Sequence, residues 1–74
     1  MSTTGSLYRY RIDYSMLTDG EYEALEKRIE NVAFLGLRPN PHTKIGEFYL
    51  SCENADDYLK YINVPACCNL HRIG

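Results

Sequence analysis

Five side chains in this sequence have the chemistry to ligate a metal or act as a nucleophile and its base: Cys52, Cys67, Cys68, His42 and His71. A zinc ion holds its ligands at about 2.0 to 2.3 Å. On a strand, Cys67 and His71 share a face but stand ~13 Å apart at ~3.3 Å per residue, too far for one ion. Cys68 and His71 converge only if the chain there is a turn or a helix. No paired C-x-x-C exists. A zinc-stapled domain is therefore a third option, and buried or half-buried thiols are the simpler reading.

Covalent catalysis meets a similar obstacle. A reactive cysteine needs a base or a helix N-terminus to lower its pKa. His71 is close in sequence to Cys67 and Cys68, but nothing supplies a third, orienting group. His42 follows Pro41 and precedes Thr43, which suggests an exposed loop. Carboxylates are abundant only where water keeps them ionised and ordinary. The five glycines are isolated and form no phosphate-cradling loop. The expectation is a non-enzyme with no cofactor and no bound metal.

The frame that must position these residues is small. Seventy-four residues, 45% hydrophobic and 24% charged with a net charge of −2, make one globular domain. A chain this short hides only about 60% of its unfolded surface, so a disulfide, a metal or a partner often supplements the core. Three cysteines without a secretory signal argue against a disulfide framework and fit a reducing cytoplasm. No apolar run approaches the ~20 residues needed to span a bilayer. Residues 1–6 are small and polar and read as a flexible tail ahead of a domain over 7–74. Seven tyrosines offer contact area for oligomerisation.

From Leu7 onward the chain alternates. Tyr8, Tyr10, Ile12 and Tyr14 fall on one side, Arg9, Arg11 and Asp13 on the other, which is a strand pattern. Thr18-Asp19-Gly20-Glu21 matches a capping box. Tyr22, Leu25, Ile29 and Val32 then lie within ~80° of one another on a helical wheel, so a helix is predicted over Asp19–Asn31. Ala33–Leu37 reads as a short strand, and the two prolines in Arg38–His42 predict a loop. Glu47–Cys52 reads as a third strand. Asn54 is placed to cap a second helix with the apolar face Ala55, Tyr58, Leu59 and Ile62. Ala66–Ile73, after Pro65, is the candidate last strand.

The order β-α-β-β-α-β is the ferredoxin-like plan of the α+β class: an antiparallel sheet with both helices on one face and the first and third strands central. The alternative lacks the last strand. Burying the tyrosines of the first strand leaves Arg9 and Arg11 on the uncovered face, since two unpaired arginines are costly to hide. Eight acids (Asp19, Glu21, Glu23, Glu26, Glu30, Glu53, Asp56 and Asp57) then gather on or beside the helices. An acidic helix layer and a mildly basic sheet face are expected, with Tyr49 on that face and Lys44 near its rim.

Such a layout resembles an RNA-recognition motif, whose central strands stack bases. The stretch that carries the likeness is Lys44-Ile45-Gly46-Glu47-Phe48-Tyr49-Leu50. It departs from that family's signature in having Ile45 before Gly46 and in setting Phe48 and Tyr49 side by side, so that only one faces outward. The net charge of −2 also opposes tight phosphate contact. Single-stranded nucleic-acid binding through Arg9, Arg11, Lys44 and Tyr49 is thus the alternative expectation.

Protein recognition is the leading one. The sequence reads as a non-catalytic module that occupies the surface of a partner protein, itself basic, with Glu23, Glu26, Glu30, Asp56 and Asp57 as the contacts. In size and charge the chain is similar to phage-encoded inhibitors of host nucleic-acid enzymes, such as anti-CRISPR proteins. That likeness implies a regulatory, inhibitory role. Open sheet edges add a homodimer to the expected partners.

Overall fold

A computed structural model describes residues 6–74. The tail expected over 1–6 lies, apart from Ser6, outside the described residues. The elements follow as β1 (Leu7–Asp13), α1 (Asp19–Val32), β2 (Phe34–Asn40), β3 (Ile45–Ser51), α2 (Ala55–Ile62), a 3-10 turn (Ala66–Cys68) and β4 (His71–Arg72). The four strands form one antiparallel sheet in the order β2-β3-β1-β4, with β1 and β3 central as expected.

The two central strands pair without interruption from Leu7 opposite Ser51 to Asp13 opposite Ile45. Their alternation sends Tyr10, Ile12, Phe48 and Leu50 to the helix side, where all four are buried. Tyr8 is half-buried on the same side. The Tyr10 ring stacks on Phe48 with centroids 5.5 Å apart. From α1, Leu25 and Ile29 complete the core, and α2 adds Ala55 and Ile62. Among the described residues no helix is long and apolar enough to cross a membrane.

The α1 start is the capping box read from the sequence. Thr18 Oγ1 accepts from the Glu21 amide at 3.2 Å, and Glu21 Oε1 accepts from the Thr18 amide at 2.9 Å. The α2 start differs from expectation. Asn54 sits at φ −115° and ψ 6°, away from the extended cap conformation, and its side chain makes no capping hydrogen bond.

Two further expectations need correction. Strand β2 runs on to Asn40 and includes Pro39, opposite Gly46, where a loop was predicted. An outermost strand has a neighbour on one side only, so it tolerates a missing N–H. The tail after Pro65 is mostly bent, not extended. Cys68 plugs into the core with no exposed surface, Asn69 takes a left-handed conformation at φ 49°, and the chain returns to β1 only from His71, with the Ile73 amide donating to the Arg9 carbonyl at 2.7 Å. The fourth strand is short but present, and the three-stranded alternative is set aside.

Candidate binding faces

The uncovered side of the sheet is set by the β1 and β3 alternation. Arg9 stands opposite Tyr49, which stands opposite Phe34, so these three form one cross-strand row. A second row runs Arg38, Glu47, Arg11 and His71. Arg9 and Arg11 therefore lie where the sequence placed them, with Tyr49 beside them. Lys44 does not join them. It occupies the β2–β3 turn, its carbonyl accepting from the Tyr14 amide at 2.9 Å, and lines a groove with Tyr14 and Leu17 on the helix side.

Glu47 changes the charge of this face. Its Oε2 accepts from Arg11 Nη2 at 2.9 Å and from Arg11 Nε at 3.2 Å, while Oε1 lies 3.9 Å from Arg9 Nε. One carboxylate thus offsets much of the field of two guanidiniums. Beside the pair, Arg11, Arg38, Thr43 and Ile45 border a shallow depression of about 450 Å³.

Phe34 and Arg38 were not singled out from the sequence. Between them, four steps along β2 match two along β3. Leu35 and Gly36 take up the excess in left-handed conformations at φ 65° and 72°. Phe34 ends up on the open face and 55% exposed, and Leu35 is 64% exposed. Gly36 inside an apolar run was the available signal, since a lone glycine in a strand marks a bulge.

The five acids named as contacts do not share one flank. Glu26 and Glu30 lie one turn apart on the α1 flank that faces β2. The Tyr22 hydroxyl donates to Glu26 at 3.2 Å, and a Cβ on Gly36 would meet Glu30 Cγ at 3.6 Å. The other flank of α1 faces α2, where Arg28 Nε donates to the Ile62 carbonyl and Asn31 Nδ2 to the Tyr61 hydroxyl, both at 2.8 Å. Asp56 is turned ~140° around α2 from Tyr61, toward Tyr10 and away from α1. Glu23 and Asp57 are exposed on the outer surface.

Three tyrosines are held in surroundings that disfavour their ionised form. Burial raises the pKa of Tyr10, Tyr14 and Tyr22, and the Glu26 carboxylate adds to the rise at Tyr14 and Tyr22. On the outer side of Tyr8, the Arg72 guanidinium sits 4.1 Å from the ring centroid. Asp13 is lowered because the Ser15 amide donates to it at 2.9 Å.

The thiols and imidazoles do not converge. Cys68 is buried and its pKa is pushed up to about 11 by that burial. Cys67 is exposed, Cys52 is half-buried, and His71 lies on the open face with Nδ1 3.0 Å from the Asn69 carbonyl. His42 is exposed in the β2–β3 turn. Among the described residues no three His, Cys, Asp or Glu side chains are grouped to hold a metal ion. Comparison with known proteins finds no matching family model, curated protein or solved structure.

Proposed function

We propose that this chain is a non-catalytic protein-binding module that acts by covering the surface of a partner protein, with the open sheet face as its principal contact. The observation that carries the reading is the row Phe34, Tyr49 and Arg9 on a sheet side that no helix among the described residues covers. Aromatic residues and arginine are enriched where protein interfaces concentrate their binding energy. An apolar patch left open on a small domain is the kind of surface that marks such a contact. The Arg11–Glu47 pair lowers the positive charge of the face, which favours a protein surface over a row of phosphates.

The acidic side chains take a supporting role in this proposal. Glu23, Glu30, Asp56 and Asp57 are exposed and would steer the approach to a basic partner, raising the association rate. Blocking a basic, nucleic-acid-handling surface is how a phage-type inhibitor would act, and the proposal extends to that role. The test is affinity capture with the tagged chain followed by kinetics on the captured protein. Phe34→Ala and Tyr49→Ala should speed dissociation at least tenfold, a hot-spot effect of ~1.4 kcal/mol. Charge reversal at the four acids should slow association instead. Dissociation unchanged by both aromatic variants would remove the sheet face from the proposal.

A second reading rests on the same row. Tyr49 and Phe34 are stacking platforms bordered by Arg9, Arg11 and Arg38, an arrangement suited to a single strand of nucleic acid. It predicts oligonucleotide affinity that falls with salt and on Arg11→Ala. No binding to any labelled oligonucleotide at low salt ends it.

A further inference from the structure

The depression on the open sheet face is rich in unused hydrogen-bond donors. It is lined by Arg11, Arg38, Asn40, Thr43, Ile45 and Glu47. One Glu47 oxygen accepts from Arg11 Nε and Nη2, and the other lies 3.9 Å from Arg9 Nε. The Asn40 side-chain oxygen accepts from the His42 amide at 2.9 Å and the Thr43 amide at 3.4 Å. The acceptors are thus engaged, and the groups left over are Arg11 Nη1, Asn40 Nδ2 and the whole Arg38 guanidinium, all donors. Arg38 is exposed and, among the described residues, makes no ion pair or side-chain hydrogen bond. Arg9 Nε, beside the same carboxylate, is shielded from water and has no hydrogen-bond partner. Asp13, the next acid along β1, accepts from the Ser15 amide and is not on the lining. Two guanidiniums therefore face one carboxylate that is already bonded, and the group they are fit to receive is an anion.

The neighbouring row supplies an apolar half. The Gly36 amide donates to the Ala33 carbonyl at 3.3 Å, closing a four-residue turn with Leu35 in its third position at φ 65°. A left-handed third position suits glycine or asparagine, and a leucine there is strained. The strain brings the fold no burial, since Leu35 is 64% exposed and Phe34 55% exposed. A leucine held in a strained conformation with its side chain in water is explained by a contact made outside the chain. Phe34 stands opposite Tyr49 and Arg38 opposite Glu47, two residues apart along β3 and so separated by ~7 Å.

We propose that this corner of the sheet takes a short segment of a partner protein that carries a carboxylate beside a large apolar side chain. The carboxylate enters the depression between Arg11 and Arg38, and the apolar group covers Phe34 and Leu35. The inference rests on the protein-binding reading of the open face and names the chemistry that face selects. It requires one acid on the segment and leaves the rest of the partner free to be basic. A nucleic acid fits less well. Leu35 has no ring on which a base stacks, and Glu47, in the middle of the arginine row, repels successive phosphates.

The test selects ligands for the full chain from a displayed library of short random peptides and measures the enriched ones by titration calorimetry. They should share an Asp or Glu within about three residues of a Leu, Ile, Phe or Trp. Arg38→Glu should weaken them about tenfold and Arg38→Lys at most about threefold. Leu35→Gly should weaken them about fivefold while leaving the unfolding midpoint unchanged, because glycine adopts the left-handed conformation freely. An excess of mixed-sequence single-stranded oligonucleotide should not displace them. Enriched peptides that lack an acid, or that bind Arg38→Glu as well as the wild type, overturn this inference; if Phe34→Ala or Tyr49→Ala still weakens them, the face remains a protein contact. Peptides indifferent to Phe34, Tyr49 and Arg38, no enrichment, or displacement by the oligonucleotide overturn the inference and the protein-binding reading of the face together.

Discussion

Arg11 and Glu47 face each other across the two central strands and share two hydrogen bonds, 2.9 Å and 3.2 Å long, to a single carboxylate oxygen. The pair is partly open to water, with 42% and 31% of the two side chains exposed. Its worth to stability is therefore small, under about 1 kcal/mol. Its larger effect is on the field of the open face. Glu47→Gln should shift the melting midpoint only slightly while raising low-salt affinity for an anionic resin or oligonucleotide. A loss of stability above ~2 kcal/mol in denaturant titration would show that the pair is structural instead.

The two helix starts predict opposite outcomes for similar substitutions. Thr18→Ala deletes a cap that receives the Glu21 amide and should cost about 1 kcal/mol. Asn54→Ala deletes a side chain with no capping bond and should change stability by less than about 0.5 kcal/mol. Urea unfolding of both variants measures the difference directly.

The two phenylalanines divide in the same manner. Phe48 is fully buried against Tyr10, and Phe48→Ala should cost about 3 to 5 kcal/mol. In a domain of this size that loss is a large part of the total and should leave much of the chain unfolded at 25 °C. Phe34 is more than half exposed, and Phe34→Ala should stay within about 0.5 kcal/mol of wild type. Circular dichroism melts distinguish the two. A large loss at Phe34 would mean that the residue supports the fold and does not merely display a contact.

Alkaline pH should destabilise the chain. The Cys68 thiol titrates at about 11 in the folded state against an ordinary value of 9.0, so the unfolded chain gives up this proton first as pH rises. Stability from Cys68 is whole below about pH 9 and is lost between there and pH 11. Tyr10, Tyr14 and Tyr22, each raised above 10.0, extend the decline upward. Denaturant midpoints taken from pH 7 to 11 should fall past pH 9. The same burial predicts that a thiol reagent under native conditions labels exposed Cys67 before Cys68.

Much of the fold was legible because the residues concerned answer to short-range physics. The Tyr8 to Tyr14 alternation and the Thr18 and Glu21 spacing are properties of adjacent backbone, and both elements formed where expected. The reading failed where a distant neighbour decides. Pro39 is admitted to a strand only because β2 is outermost. Asn54 fails as a cap because the chain leaves β3 through a tight turn, its amide bonded to the Ser51 carbonyl at 3.1 Å. The last segment bends because the core accepts Cys68.

The candidate faces were legible only in part for the same reason. Arg9, Arg11 and Tyr49 follow from alternation, but Phe34 joins them through a bulge that no periodicity reveals. Glu26 and Glu30 turn toward β2 while Asp56 turns away from α1, a division set by how the two helices pack and not by sequence order.

The outer border of β2 has one more effect. A left-handed kink at Leu35 and Gly36 and a pyrrolidine ring at Pro39 break its row of outward-facing amides into short, misaligned pieces. A second molecule has no continuous template there on which to add a strand. The sheet is thereby guarded against runaway polymerisation along that side, even with Phe34 and Leu35 exposed beside it.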